Sequence, residues 1–218
     1  MSSKSFLYIA RHGQTEWNLE KRLQGRQDSP LTPLGKFQAE LLARSLVRIN
    51  LSEIWSSTAP RALTTAQIID GYRMPHLGVQ TSNALQELDF GPWEGKTKSE
   101  INELWRTENE KFWLFPDQWV PQKQESFLQV RLRLTEFVQK QLSPGSVCLW
   151  VSHGLAIQIF LWALENSALS NLFQNPVVHQ TSLTLVEARP GEPLSNWKVV
   201  FRDDRSHLKE LEQRGALR

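Results

Sequence analysis

Two stretches of this chain end in the same way. Leu7-Tyr8-Ile9-Ala10-Arg11-His12-Gly13 and Leu149-Trp150-Val151-Ser152-His153-Gly154 each run from an apolar segment through one polar residue to a histidine and a glycine. Such a run reads as a buried strand leading into a loop. In open α/β sheets ligands bind outside the carboxyl ends of the strands. His12 and His153 can therefore face one pocket despite their distance in sequence. Neutral imidazole is a competent nucleophile near pH 7. Either histidine alone reads as a hydrogen-bonded structural residue. Two of the chain's five in one context, with Arg11 beside the first, read as a site. Gly13 and Gly154 let the backbone approach a ligand or turn sharply.

Arg61 adds a further cation. In Ser56-Ser57-Thr58-Ala59-Pro60-Arg61, Pro60 suits the first turn of a helix and carries Arg61 with it. The helix macrodipole disfavours a cation at that end, and a bound anion offsets the cost. An exposed arginine with a small penalty accounts for the residue equally well.

The surrounding pattern supplies the elements that must position these groups. Thr32-Pro33 opens a helix with Thr as N-cap and Pro at the first helical position, and Leu34, Phe37, Leu41, Leu42 and Ile49 predict its apolar face. Ile54-Trp55 is a short strand, followed by a helix from Pro60 to about Ile69 and a third strand near Val79. Phe127 to Leu142 is a helix stopped by Ser143-Pro144-Gly145. Val147 to Val151 is a buried strand, Leu155 to Leu164 a helix, and Ser182 to Glu187 and Trp197 to Phe201 are strands. This alternation predicts an α/β fold, a three-layer α/β/α sandwich around a mostly parallel central sheet. Residues 88–125 carry Trp93, Trp105, Trp113 and Trp119 with Phe112 and Phe115 among charges and prolines, and read as a cap or insertion within a single domain spanning 1–218.

Composition narrows the function classes. A chain of 218 residues with 40% hydrophobic and 22% charged residues can bury a full core, which argues against disorder. The net charge of +2 and the lack of long Lys/Arg runs give no case for nucleic acid. The lone Cys148, in an apolar run, reads as a buried small hydrophobe and excludes an intrachain disulfide. No stretch is long and apolar enough to cross a membrane, and the N-terminus lacks a secretory pattern, so a cytoplasmic location is expected. The histidines lack metal-motif spacing, so neither a metal nor another cofactor is expected. The oligomeric state is not written in the sequence.

Longer motifs connect these residues. Arg11-His12-Gly13-Gln14-Thr15-Glu16-Trp17-Asn18, Leu23-Gln24-Gly25, Asp28-Ser29-Pro30-Leu31-Thr32-Pro33-Leu34-Gly35, Ser56-Ser57-Thr58-Ala59-Pro60-Arg61-Ala62, Leu85-Gln86-Glu87-Leu88-Asp89-Phe90-Gly91-Pro92-Trp93-Glu94-Gly95 and Ser152-His153-Gly154 occur in that order. Together they resemble the histidine phosphatase superfamily, the phosphoglycerate-mutase-like group with an RHG signature. The resemblance implies His12 as the nucleophile that takes the phosphoryl group. It implies Arg11, Arg61 and His153 as the phosphate clamp and Glu87 as proton donor and acceptor. Asn18, Gln24, Gly25 and Gly154 are implied at the phosphate or substrate pocket, with Lys98 matching a substrate-binding lysine of the mutases.

The run Glu87-Leu88-Asp89-Phe90-Gly91 resembles the phosphatase branch, whereas glycolytic mutases usually carry Glu-Arg-His-Tyr-Gly there. Mutases also place an Arg-Arg pair downstream, and here Arg106 stands alone. The expectation is a metal-independent phosphomonoester hydrolase that acts through phosphohistidine on a small phosphorylated metabolite. A phosphoglycerate mutase of the 2,3-bisphosphoglycerate-dependent type is the alternative. A non-catalytic binding module is disfavoured because the five core positions are filled. Gln124-Glu125-Ser126 departs from the usual Gly-Glu-Ser.

Overall fold

The computed structural model describes residues 4–174 and 176–213. Its centre is a six-stranded sheet formed by β1 (Ser5–Arg11), β2 (Glu53–Ser57), β3 (Val79–Ser82), β4 (Val147–Ser152), β5 (Leu183–Ala188) and β6 (Lys198–Asp204), in the order β3-β2-β4-β1-β5-β6. The strands β3, β2, β4 and β1 run parallel. The last two do not: β5 is antiparallel to β1, and β6 to β5. The sheet is thus mixed, with an antiparallel pair on one edge where a short turn replaces a crossover helix.

The central strand shows why the sheet needs cover on both sides. Cys148 and Trp150 of β4 pack into one apolar cluster, while the alternating Leu149 and Val151 pack into another. The second cluster is closed by α2 (Pro33–Leu46) and α3 (Pro60–Gly71), through Leu42, Leu46, Ala62, Ala66 and Ile69. The first is closed by α6 (Phe127–Gln141) and α7 (Gly154–Glu165), preceded in the chain by α1 (Glu16–Leu19), α4 (Lys98–Leu104) and α5 (Arg106–Leu114). The short α8 (Lys209–Gln213) ends the described chain. Every residue of α7 from Leu155 to Leu164 is buried, which explains a helix that is apolar on all sides.

The predicted face of α2 is only partly the buried one. Thr32 and Pro33 start the helix as expected, but Phe37 is exposed and the buried residues include Gly35, Gln38, Ala39, Leu42 and Ala43. The small side chains let this helix approach the loop after β1 closely. A Cβ on Gly35 would meet the Gln14 carbonyl oxygen at 2.0 Å, and one on Gly13 would meet the Gly35 oxygen at 2.4 Å. Size, and not hydrophobicity, set this contact.

The tryptophan-rich segment holds an aromatic cluster. Phe112 lies 4.8 Å from Trp119, 4.9 Å from Phe127 and 5.4 Å from Trp93 between ring centres. Gln124, where the usual motif has glycine, closes the turn itself: its Oε1 accepts from the backbone N–H groups of Gln122 and Lys123.

Candidate active site

Strand register brings the two histidines together. Arg11 pairs with Ser152 across β1 and β4, so His12 and His153 leave adjacent strand ends. The His12 N–H donates to the Ser152 carbonyl at 3.0 Å, and the two imidazole centres lie 5.2 Å apart. Both rings are buried. His12 Nδ1 is 2.7 Å from the Gly13 carbonyl oxygen. A carbonyl only accepts, so in the neutral ring Nδ1 carries the proton and Nε2 the lone pair. His153 Nε2 is 2.8 Å from Ser57 Oγ, which also accepts from the Ala59 N–H. A Ser57 hydroxyl that donates to Nε2 leaves the proton of His153 on Nδ1, and that buried atom finds no acceptor within the protein.

Burial is the main force holding His12 well below the ordinary histidine value, followed by the Arg61 and Arg11 guanidiniums; the Gly13 carbonyl opposes them. Burial also holds His153 well below it, with Arg61, His12 and Arg11 acting in the same direction. Both rings are thereby kept neutral at pH 7.

The arginines are fixed from behind. Arg11 Nη1 donates to the Val178 carbonyl at 2.6 Å, while its Nε is buried without a protein partner. A Cβ at position 154 would stand 3.3 Å from the Arg11 guanidinium carbon, so Gly154 makes room for that group. Arg61, in the first turn of α3, is almost wholly buried. It donates to the carbonyls of Gln27 and Gly25 and to Asp28 Oδ1, each at 2.8 Å, and its Nε also lacks a partner. Thr65, one turn further, accepts from the Gly13 N–H at 3.1 Å and ties α3 to the His12 loop.

Glu87 reaches the same cavity from the other side. Its Oε1 accepts from the N–H groups of Leu88 and Ala156 at 2.9 Å, and its Oε2 from that of Leu155 at 3.2 Å. The carboxylate therefore sits on the N-terminus of α7, where orphan N–H groups and the helix dipole favour negative charge.

The cavity has a volume of about 390 Å³. Arg11, His12, Arg61 and Glu87 line it, as do Asn18, Gln24, Gly25, Gly154 and Lys98. Asn18 uses its side-chain oxygen to accept from the Thr15 N–H, which leaves its amide nitrogen to donate. Lys98 Nζ stands 4.7 Å above the Trp113 ring. Of Trp105, Trp113, Phe115 and Trp119 in the tryptophan-rich segment, Trp113 lines the cavity; Trp119 is buried in the aromatic cluster and Phe115 is exposed. The outer wall also contains Arg22, Phe90, Phe173 and Val178.

Sequence reading missed the residues that hold the site from outside. Ser57 and Asp28 stand within the recognised motifs with no role read for them, and Thr65 lies one turn beyond Arg61. Glu94 was another. Its carboxylate accepts from the N–H groups of Arg26, Gln27 and Phe90, and pins the Gly25 loop to the segment after Glu87. Gly25 has φ +56, and a Cβ there would overlap the Glu94 carboxylate. Burial pushes the Glu94 carboxyl above its usual value against those three hydrogen bonds.

Among the described residues no group of three His, Cys, Asp or Glu side chains is arranged to hold a metal, and no helix is long and apolar enough to cross a membrane.

Residues 7–199 match the profile of the Histidine phosphatase superfamily (branch 1). The chain is 31% identical over 218 residues to the Proteus mirabilis protein named "Probable phosphoglycerate mutase GpmB", covering 94% of this chain and 95% of that one. Among solved structures it resembles YhfR of Bacillus stearothermophilus, with a TM-score of 0.85 and 34% identity over 94% of this chain and 99% of the other. It also resembles the phosphoserine phosphatase of Entamoeba histolytica, solved with 3-phosphoglyceric acid, with a TM-score of 0.80 and 28% identity over 94% and 99% of the two chains.

Proposed function

The chain belongs to the histidine phosphatase superfamily, and on that premise we propose that it is a metal-independent phosphomonoester hydrolase acting through a phosphohistidine on His12. The observation that carries this reading is the set of buried nitrogens without protein partners around that residue: Arg11 Nε, Arg61 Nε and His153 Nδ1. Buried donors are normally satisfied. A phosphoryl group in transit carries charge on three equatorial oxygens and is an acceptor of the required kind.

The geometry supports the following chemistry. His12 Nε2 attacks phosphorus, the P–O ester bond breaks, and the leaving oxygen takes the proton of Glu87, which enters this step as the carboxylic acid and leaves it as the carboxylate. The same carboxylate then takes a proton from the water that attacks phosphohistidine, releasing inorganic phosphate and free His12. Depressed basicity keeps His12 unprotonated and ready. The arginines supply the fixed positive charge that a metal brings in other phosphoryl-transfer sites.

Hydrolysis is favoured over mutase chemistry by the outer wall. A mutase must hold a second anionic group, for which the family uses a pair of adjacent arginines. Here that wall contains Phe90, Trp113, Phe173 and Val178, and its arginine, Arg22, is engaged by Glu20 and Glu100. Arg106, the remaining arginine of the segment, is exposed and paired with Glu110. Lys98 in the cavity and the name carried by the Proteus mirabilis relative support the mutase reading. The substrate is a small phosphorylated metabolite whose leaving group has apolar surface. The test is phosphate release from alkyl phosphates and from 3-phosphoglycerate, with and without 2,3-bisphosphoglycerate. Release without the bisphosphate is expected. Isomerisation that requires the bisphosphate, with no net release, would replace the hydrolase by the mutase.

A further inference from the structure

We propose that Arg133 is a positioning residue for Glu87. The inference rests on the hydrolase reading for its chemistry and on the contacts of α6 for its structure. Arg133 spends all five of its N–H groups on the segment that carries Glu87 and on one carboxylate. Its Nη1 donates to the carbonyls of Ala84 and Gln86 at 2.6 and 2.8 Å, and its Nη2 to that of Glu87 at 3.2 Å. Its Nε and Nη2 form a bidentate pair with Glu125, at 2.7 and 3.0 Å. Glu125 Oε2 also accepts from the Asp89 N–H at 3.3 Å, two residues beyond Glu87, and from Arg26 Nη2 at 3.2 Å. The Glu125 N–H donates to the Asp89 carbonyl at 2.9 Å.

The pair therefore grips the backbone of residues 84–89 from both ends. The Glu87 side chain is held separately, by the N–H groups at the start of α7. A proton donor must sit within hydrogen-bond reach of the leaving oxygen, and a misplacement of 1 Å can cost about 10²-fold. Neither Arg133 nor Glu125 lines the cavity. Their contacts act on the reaction through Glu87; the Arg133 charge also opposes protonation of His153, and Arg133→Lys keeps that charge. The planar fork of arginine is what the arrangement needs, because a lysine ammonium brings only three donors from one point. Burial alone would raise the Glu125 carboxyl, but the Arg133 hydrogen bond and charge, with Arg26, hold it below the usual range, so Glu125 stays ionised at neutral pH.

The experiment compares Arg133→Lys with the unmodified chain on two esters, by rapid mixing, and follows amide hydrogen exchange in the same samples. Glycerol 2-phosphate has an alkoxide leaving group that needs a proton; p-nitrophenyl phosphate has one that hardly does. Turnover of the alkyl ester is expected to fall about 10²-fold, with phosphorylation by the aryl ester and vanadate affinity nearly unchanged. The amides of Leu88, Leu155 and Ala156, which donate to the Glu87 carboxylate, should exchange faster. The Gly13 amide, held by Thr65, should not. Equal loss on both esters, or unchanged protection at Leu155 and Ala156, would overturn the proposal. Glu125→Gln breaks the ion pair at constant size and gives the same split in weaker form; it decides the matter if Arg133→Lys does not fold. If the unmodified chain hydrolyses neither ester, the hydrolase reading fails, and the exchange pattern alone decides whether Arg133 positions Glu87.

Discussion

His153 meets His12 with its ring tilted by 61° and the two centres 5.2 Å apart. Two buried imidazoles at that distance, with Arg11 and Arg61 beside them, cannot both take a proton without strong repulsion. The folded protein therefore favours the neutral pair near neutral pH.

That state predicts a pH dependence of stability. The unfolded chain takes up protons on both histidines as pH falls below about 6.5. The folded chain does not until well below that value. The unfolded state then binds more protons, so stability is full above about pH 6.5 and declines in acid, by at most about 1.4 kcal/mol per pH unit for each histidine. Thermal unfolding between pH 7.5 and about pH 5 checks this. His12→Asn should lower the slope in that window; an unchanged slope would mean that His12 titrates normally.

Glu87→Gln should separate proton transfer from phosphate binding. The variant keeps the size of the side chain and removes its transferable proton. Turnover of an alkyl phosphate should fall by about 10²–10⁴-fold. Phosphorylation by p-nitrophenyl phosphate should fall much less, and a burst of p-nitrophenol followed by slow turnover is the expected trace. Equal loss of the phosphorylation rate on both esters would leave Glu87 with a positioning role only.

Close backbone packing predicts opposite outcomes at two glycines. Gly35→Ala forces a Cβ to within 2.0 Å of the Gln14 carbonyl oxygen, next to the His12 loop. The variant should lose about 1–3 kcal/mol of stability and much of its turnover. At Gly71 nothing lies within 4 Å of an added Cβ, so Gly71→Ala should be stabilising by about 0.4–1 kcal/mol with full turnover. Chemical denaturation with a parallel assay distinguishes them.

Turnover should also survive exhaustive treatment with EDTA, since Arg11 and Arg61 supply the charge and neutral His153 offers a hydrogen bond. Loss on chelation with recovery on adding a divalent cation would contradict that role.

The parts of this protein that could be read from its sequence are those governed by local pattern. The apolar runs of β1 and β4, each ending in His-Gly, marked both strands and their loops because burial on two faces demands continuous hydrophobicity. Thr32-Pro33 was legible through capping chemistry, and the end of α6 through Ser143-Pro144-Gly145. The antiparallel edge was not, since a strand's direction depends on its connection and leaves little mark on composition. Nor was the buried face of α2, which is chosen by the fit of Gly35 against Gln14. Within the site, His12, Arg61 and Glu87 were legible as members of motifs. Ser57, Asp28, Glu94 and Arg133 act across long stretches of chain, and a single sequence carries no record of such pairings.

The most direct test is to trap the intermediate. The protein is mixed with p-nitrophenyl phosphate, quenched within the burst under alkaline denaturing conditions that preserve phosphohistidine, and mapped by mass spectrometry. One acid-labile phosphoryl group on His12, attached at Nε2, formed as fast as p-nitrophenol appears and lost in His12→Ala, is the predicted result. Steady turnover with no phosphorylated residue, or a phosphoryl group on any other side chain, would contradict the account.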